Sequence, residues 1–254
     1  MALTNAPAKP ATRFKRALHA VVTVDHGRGF VVEGRGLYRR SHRYIVTAAH
    51  CLPVRPDGQR LPPPDGASHS EERTYEELLA PLGEQPSVWC ECFFVDPIAD
   101  IAVLGAPEHP DLLEHAKAYE ALVEKTTPIT VAEPPSKPIR EGDDRLAKFV
   151  EWARRECPAF LLSLENQWFH CTVRHGPNDM LWISDATEGI AAGMSGSPIV
   201  AKDGTAIGIV CIGSGGTFNP IPTEGGPNPR LMGNLPGWFL KVLTDGAAQR
   251  DDGR

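Results

Sequence analysis

Short apolar runs, each about the length of one β-strand, alternate with turn-forming residues along most of the chain. The runs are rich in Val, Ile and Phe: first ALHAVVTV, GFVVEG, YIVTAA, SVWCECFFV and DIAVLG, then PITVAEP, AFLLSL, WFHCTV, LWISD, SPIVA and AIGIVCIG. The 254 residues also contain 24 glycines and 24 prolines, which is many turn residues for this length. This pattern favours a fold built from short strands over a helix bundle.

Three segments do not follow the strand pattern. Residues 1–14 are rich in proline and alanine and predict a disordered tail, and a second disordered tail is predicted over residues 246–254. Residues 52–66 contain too many prolines for a strand, so they predict a surface loop.

Helical insertions are predicted within about residues 108–157. Asp111 and Glu114 resemble a capping box ahead of an apolar helical stripe. A second helix is predicted to end at Cys157, because the following proline disfavours helical conformation in the residue before it. A short C-terminal helix is predicted over residues 235–244. We expect the apolar faces of these helices to pack against a sheet.

The composition argues against several classes of function. With 26 Lys and Arg against 32 Asp and Glu, the formal net charge is −6, and a mildly acidic surface does not favour DNA, RNA or anionic lipid as partners. No apolar stretch approaches the ~18 residues that span a bilayer, and the N-terminus lacks a signal-peptide core. We therefore expect a cytoplasmic protein, away from membranes, whose six cysteines are reduced thiols.

Three short motifs contain the residue types that nucleophilic acyl transfer requires. TAAHC places His50 after a strand, DPIADIAVL places Asp100 before one, and GMSGSP places Ser195 on a glycine-flanked turn. The chemistry needs a hydroxyl, an imidazole that removes its proton, and a carboxylate that fixes the imidazole tautomer. Each motif alone also fits a structural role, such as a histidine at a strand end or an acidic turn residue. Their combination in this order favours the catalytic interpretation.

TAAHC, DIAVL and GxSGSP resemble the histidine, aspartate and serine motifs of the trypsin/chymotrypsin-like serine proteases. GRGFVV and AIGIVCIG are similar to segments of the bacterial, HtrA-like branch, and the resemblance covers approximately residues 17–216. It implies an all-β fold of two six-stranded antiparallel β-barrels, with helical insertions and a short C-terminal helix. The peptidase domain would span residues 15–245, with the first barrel over about 15–107 and the second over about 158–234.

The same resemblance implies a role for each candidate site residue. His50 would be the general base and acid, Asp100 its orienting carboxylate, and Ser195 the nucleophile. The backbone N–H groups of Gly193 and Ser195 would form the oxyanion hole. These roles imply peptide-bond hydrolysis through an acyl-enzyme.

In the family that the chain resembles, the substrate binds along two segments that flank the serine, and the resemblance implies the same for this chain. The residues concerned are Gly189, Ile190, Ala191, Ala192, Cys211, Ile212 and Gly213. No carboxylate occupies the usual basic-pocket position, which here is Gly189, so we expect cleavage after small or medium apolar residues. Asp185 and Glu188 are nearby, however, and a different loop length would bring one of them into the pocket.

Three departures from the family pattern are informative. Cys51 follows the histidine, but no cysteine precedes it where its usual disulfide partner would lie, and His26 is near that place. Met194 replaces the aspartate that receives a new N-terminal ammonium in trypsins, so activation by N-terminal cleavage is not expected. The segment after Gly213 is too short for the PDZ domain that HtrA proteins carry.

A metal site is the remaining chemical interpretation of the sequence. The potential ligands are Cys90, Cys92, Cys157, His170, Cys171 and His175, but they lack the paired spacing of known zinc sites. Scattered buried thiols are the simpler interpretation, so we expect no metal and no cofactor.

Other functions remain open beside the serine endopeptidase. One is a catalytically silent or partner-activated protease-like binding module, which would have a regulatory protein partner. Another is an esterase that uses the same three residues. We expect the chain to act on a protein or peptide substrate as a monomer.

Overall fold

Twelve β-strands form two antiparallel sheets in this computed structural model, which describes residues 11–35, 41–53, 74–132, 156–211 and 222–243. Both sheets contain six strands. The predicted all-β, two-barrel architecture is confirmed.

The first six strands close into a barrel. They are β1 (Val21–Val24), β2 (Gly27–Arg35), β3 (Ser41–Thr47), β4 (Thr74–Pro81), β5 (Val88–Asp96) and β6 (Ile101–Gly105). The order around the barrel is β1-β2-β3-β6-β5-β4, and β1 pairs with β4 to close it. Alternate side chains of these Val- and Ile-rich strands fill the interior, where Phe30, Ile45 and Leu104 are fully buried.

The second sheet is a nearly closed barrel. Its strands are β7 (Glu156–Leu162), β8 (Trp168–His175), β9 (Met180–Ser184), β10 (Pro198–Ala201), β11 (Ala206–Ile209) and β12 (Gly225–Pro229). The order is β11-β10-β7-β8-β9-β12. A single bridge between Gly208 and Arg230 brings the two ends of the sheet together.

Short helices accompany the barrels. They are α1 (Ala11–Leu18), α2 (Leu113–Glu124), α3 (Leu231–Asn234) and α4 (residues 237–243). Helix α1 packs on the second barrel: the rings of Phe14 and Phe160 lie 4.4 Å apart, and Trp168 Nε1 donates to the Phe14 carbonyl at 2.9 Å. None of the helices in the described ranges is long and apolar enough to cross a membrane.

The structure differs from the sequence-based expectations in several places. Residues 11–14, expected in a disordered tail, form the first turn of α1, and strand β7 already begins at Glu156, where a helix was expected to end. The described part of the segment PITVAEP, residues 128–132, does not form a strand, because its only β-bridge joins Val131 to Ala206. Strands β4 and β12 were not predicted. Most of the predicted loop over 52–66, most of the second insertion helix and both chain ends lie outside the described residues.

Candidate active site

The histidine and aspartate motifs meet because β3 and β6 are neighbours in the first barrel. Thr47, at the end of β3, pairs with Ala102, near the start of β6. His50 lies just beyond β3 in a 3₁₀ turn, Ala49–Cys51, and Asp100 lies just before β6. Antiparallel pairing therefore brings both motifs to the same edge of the barrel.

Asp100 binds His50 through both of its carboxylate oxygens. Ring atom Nδ1 of His50 lies 2.6 Å from Oδ2, and the His50 backbone N–H donates to Oδ1 at 2.9 Å. An ionised carboxylate only accepts hydrogen bonds, so Nδ1 carries a proton and Nε2 is the lone-pair nitrogen of the neutral ring. The side chains of His50 and Asp100 are 22% and 29% exposed, so both groups remain partly accessible to solvent.

The pKa of Asp100 reflects two opposing influences. Burial alone would raise it, but the ring hydrogen bond, the charge and the backbone N–H of His50 lower it, with a smaller contribution from the Cys211 thiol. The net pKa lies below the ordinary carboxyl value. Asp100 is therefore ionised at neutral pH and can stabilise a protonated His50.

The turn that presents Asp100 is held by residues that sequence reasoning did not select for this role. Asp96 Oδ1 accepts the N–H groups of Ile98 at 2.8 Å and Ala99 at 3.0 Å, which folds the chain back towards β6. Asp100 itself has a left-handed backbone, with φ at 61°. From the second barrel, Cys211 Sγ contacts the Asp100 carbonyl at 3.4 Å. Asp96 is thus a turn-forming residue, and Asp100 is the carboxylate that reaches the histidine.

Ser195 reaches the same junction on the turn before β10. Its carbonyl accepts the N–H of Arg28 in β2 at 2.8 Å. Gly27 faces both turns, because a Cβ at this position would lie 2.9 Å from Ser195 O and 2.5 Å from Cys51 Sγ. The serine turn and the turn that carries His50 therefore both pack against Gly27. Within the described chain no hydrogen bond joins the Ser195 hydroxyl to the His50 ring; such bonds are often long before substrate binds.

Glycines on both sides of Ser195 shape its turn. Gly193 has φ at 89° and Gly196 has φ at 81°, a region that side chains disfavour. A Cβ on Gly196 would lie only 1.7 Å from the Arg28 carbonyl, so this close approach requires glycine. Neither the Gly193 N–H nor the Ser195 N–H donates to any group in the described ranges. Both donors are available for an anionic oxygen.

Met194 supports this turn from inside the second barrel. Its side chain is buried in the core, its Sδ accepts the Ala191 N–H at 3.3 Å, and its own N–H donates to the Ala191 carbonyl at 3.2 Å. The residue that replaces the trypsin aspartate therefore contributes apolar packing and a local hydrogen bond.

The predicted substrate-binding segments are only partly described. Ile190 is buried and donates its N–H to the Pro222 carbonyl at 2.8 Å, whereas Asp185 and Glu188 are exposed. Gly189, Ala191 and Ala192 are at least partly exposed on the same segment. Ile212 and Gly213 lie outside the described residues.

Asn228 binds Cys211, the first residue of the second predicted substrate-binding segment. No sequence motif pointed to this role for Asn228. Its Oδ1 accepts the Cys211 N–H at 2.8 Å, and its Nδ2 donates to the Leu181 carbonyl at 3.2 Å. Asn228 is buried. The side-chain amide of Asn228, which both donates and accepts hydrogen bonds, therefore holds the chain just after β11 in place.

The thiols near the site are held in their protonated form. Burial raises the pKa of Cys51 to about 12, with a smaller opposing contribution from Thr47. Burial and the nearby Asp100 carboxylate raise the pKa of Cys211 well above its usual value. A thiol is a poor nucleophile until it ionises, so Ser195 is the better candidate. No disulfide joins any of the six cysteines.

The potential metal ligands do not converge. Cys90 lies in the core of the first barrel, whereas Cys157 and Cys171 lie in the core of the second. Among the residues whose positions are described, no three His, Cys, Asp or Glu side chains are grouped to hold a metal ion.

Two antiparallel barrels with this strand order define the chymotrypsin-like class of fold, and the His, Asp and Ser motifs lie at their junction. Residues 27–209, from β2 to β11, match the trypsin-like peptidase domain family. The chain belongs to this family, and by that membership it is a serine-type peptidase.

Solved structures include similar chains. The Rv3671c protease in an inactive form shares 17% identity at a TM-score of 0.44, over 93% of this chain and 98% of that chain. A serine-to-alanine mutant of Rv3671c from M. tuberculosis H37Rv, also in an inactive form, shares 17% identity at a TM-score of 0.46, over 96% and 97%. No curated protein sequence matches the chain.

Proposed function

We propose that the protein is a serine endopeptidase that cleaves peptide bonds through an acyl-enzyme on Ser195. The observation that carries the proposal is the two-point attachment of His50 to Asp100, at 2.6 and 2.9 Å, next to the turn of Ser195. It orients the His50 ring with Nε2 as the lone-pair nitrogen, and an oriented base of this kind is what activates a serine nucleophile.

In the first step, the Ser195 hydroxyl oxygen attacks the scissile carbonyl carbon while His50 Nε2 takes the hydroxyl proton. Asp100 keeps the proton on Nδ1 and stabilises the imidazolium. The carbonyl oxygen becomes an anion, which the N–H groups of Gly193 and Ser195 stabilise. His50 then gives its proton to the leaving amine, and the acyl-enzyme remains.

In the second step, water replaces the amine. His50 Nε2 takes a proton from the water as it attacks the ester carbonyl, and the same oxyanion donors stabilise the second intermediate. Return of the proton to Ser195 releases the carboxylic acid and regenerates the enzyme.

The substrate would lie along the end of β11 as an added strand. The N–H of Cys211 is already bound to Asn228, which leaves the Cys211 carbonyl to accept an N–H from the substrate. The pocket segment has Gly189 at the position where a carboxylate would select basic residues, and the nearby Asp185 and Glu188 are both exposed to solvent. We therefore propose small or medium apolar residues before the cleaved bond, which a peptide library comparing Ala, Val and Leu with Arg and Asp would test.

Labelling with a fluorophosphonate, followed by intact mass, tests the assembled site. Wild type should gain one phosphonyl group, and Ser195→Ala and His50→Ala should gain none. Ser197→Ala is a matched control, because this serine lies on the same turn but is buried, without a hydrogen-bond partner for its hydroxyl in the described chain. Labelling that persists in Ser195→Ala, or that is lost in Ser197→Ala alone, would contradict the proposal.

A partner-activated form of the same site is the second candidate. The observation in its favour is that no hydrogen bond joins Ser195 to His50 in the described chain. This candidate predicts slow labelling of the isolated protein and a strong increase when a partner or a polypeptide substrate is added. Fast labelling of the isolated protein would rule it out. An esterase with the same residues would hydrolyse activated esters but leave peptides intact.

A further inference from the structure

Arg28 is a buried cation whose described hydrogen-bond acceptors are all uncharged. It is 6% exposed, and its Nη1 donates to the carbonyls of Leu162 and Ser163 at 3.1 and 2.9 Å. Its Nη2 donates to the Leu164 carbonyl at 3.4 Å and to Asn166 Oδ1 at 3.2 Å. One side chain of the first barrel thus binds four acceptors at the turn between β7 and β8 of the second.

The backbone of Arg28 contacts the serine turn at the same time. Its N–H donates to Ser195 O at 2.8 Å, and its carbonyl accepts the Thr47 hydroxyl at 2.7 Å while packing against Gly196. Arg28 therefore connects three parts of the site region: strand β2, the serine turn and the β7–β8 turn.

Gly193 lies close to Leu164 and to His26, and Arg28 is connected to both residues. A Cβ on Gly193 would lie 3.4 Å from Leu164 Cδ2 and 3.8 Å from the His26 carbonyl oxygen. The guanidinium binds the Leu164 carbonyl, and His26 precedes Arg28 by two residues in the β1–β2 hairpin. The Leu164 side chain is 47% exposed, so its own burial is a weak restraint.

We propose that Arg28 is a positioning residue for the oxyanion turn, holding Leu164 against Gly193 through the β7–β8 turn while its backbone holds Ser195. This inference rests on the proposed serine-peptidase function. Arg28 touches no reacting atom, so its contribution is to the placement of the Gly193 and Ser195 N–H groups.

Arginine suits this role better than lysine. A planar guanidinium presents five donors in a fixed geometry and can bind several carbonyls at once, whereas an ammonium is a single point on a flexible chain. A misplacement of about 1 Å in catalytic geometry can cost about 100-fold in rate. Arg28→Lys should therefore lose much of the effect even though it keeps the charge.

Arg28→Ala in the 254-residue chain, measured by the rate of fluorophosphonate labelling and by kcat and KM, tests the proposal. We expect kcat to fall by about 100-fold, because the oxyanion donors are displaced, with little change in KM. Guanidinium ion, added well below denaturing concentration, should restore part of the rate in Arg28→Ala and none in Arg28→Lys, whose side chain still occupies the site.

Arg43→Ala is the matched control. Arg43 also donates to backbone carbonyls, those of Val123 at 2.6 Å and Thr126 at 3.3 Å, but it joins β3 to the end of α2. It should lose stability with unchanged kcat and no response to guanidinium ion. If Arg28→Ala fails to fold, Leu164→Ala gives the second test, because a half-exposed side chain can be shortened safely, and its kcat should fall.

The outcomes distinguish a failure of the proposed serine-peptidase function from a failure of the positioning role of Arg28. Wild type that is not labelled overturns the proposed function and this inference with it. Labelled wild type with unchanged kcat in Arg28→Ala, or in Leu164→Ala where that test is needed, overturns this inference alone. A loss of kcat that guanidinium ion does not restore, or that Arg43→Ala shares, also overturns it, because the role would then be structural only.

Discussion

Gly27 directly faces Cys51, and a Cβ at position 27 would lie 2.5 Å from the Cys51 sulfur. The family resemblance implies a disulfide partner for Cys51 near this point of the chain. The position that faces Cys51 is Gly27 and not His26, whose side chain is 97% exposed. Where related secreted enzymes would carry a covalent bridge, this chain has a close backbone-to-thiol contact beside the histidine turn.

We expect Gly27→Ala to destabilise the protein and to lower its activity. The added methyl group would meet both Cys51 Sγ and Ser195 O within 3 Å, and overpacking of this kind costs about 1–3 kcal/mol. Urea unfolding and the fluorophosphonate labelling rate measure the two effects. Gly237→Ala is the control, since no atom lies within 4 Å of a Cβ there. Equal losses in both variants would contradict a specific effect at position 27.

The two aspartates of the second motif should respond differently to the same change. Asp100→Asn should lower kcat by about 10⁴-fold near neutral pH, because the amide no longer fixes the His50 tautomer. Asp96→Asn should retain most activity, since an asparagine oxygen can still accept the N–H groups of Ile98 and Ala99. Steady-state kinetics on one peptide substrate compares them. The opposite ranking would show that the wrong carboxylate has been assigned.

The stabilising effect of Asp100 should disappear in acid. Its pKa is lower in the folded protein than the ordinary value of 3.8, so the unfolded chain binds its proton first as the pH falls. A lowered carboxyl pKa adds stability above the unfolded value and loses it as the pH falls through the folded value. The difference in unfolding free energy between wild type and Asp100→Asn should therefore be present near neutral pH and shrink below 3.8. If the difference in unfolding free energy between wild type and Asp100→Asn grew as the pH fell, the pKa of Asp100 would be raised in the folded protein and this prediction would be wrong.

Met194→Asp should be strongly destabilising. The carboxylate would enter the apolar core of the second barrel, where an unpaired buried charge costs about 3–5 kcal/mol. Met194→Leu keeps the volume and should cost less than about 1.5 kcal/mol, apart from the lost bond between Sδ and the Ala191 N–H. Thermal unfolding of both variants tests this. A stable, active Met194→Asp would mean that a buried cation is available to pair with it.

Local patterns predicted most strands because the β-branched runs are continuous. Strand β4 escaped prediction because adjacent glutamates at 76 and 77 interrupt its apolar pattern, and Glu77 adopts a left-handed φ of 47° where the register shifts. Strand β12 escaped because its sequence, GGPNP, is typical of a turn. In both cases pairing with a neighbouring strand outweighs local propensity.

The candidate site likewise has a part that local sequence patterns predict and a part that depends on contacts between distant segments. His50, Asp100 and Ser195 lie in short motifs, so they were predicted from the sequence. The contacts that hold them in place were not predicted, because the partners are far apart in the chain. Arg28 binds Ser163 at a separation of 135 residues, and Cys211, predicted only as a substrate-binding residue, contacts Asp100 at a separation of 111. Contacts of this kind depend on how the barrels dock, which no local pattern encodes.

The contact of helix α1 with the second barrel bears on the order in which the chain folds. Phe14 precedes Trp168 by 154 residues, so during synthesis it cannot reach this partner until strand β8 has been made. Until then its ring has no cover from Phe160 or Trp168. A contact between residues so far apart in the chain slows completion of the fold, because the entropy cost of closing the long loop comes before the stabilisation from the contact. Docking of α1 therefore follows the folding of the second barrel, and the fluorescence of the Trp168 indole, which binds the Phe14 carbonyl, would report this step.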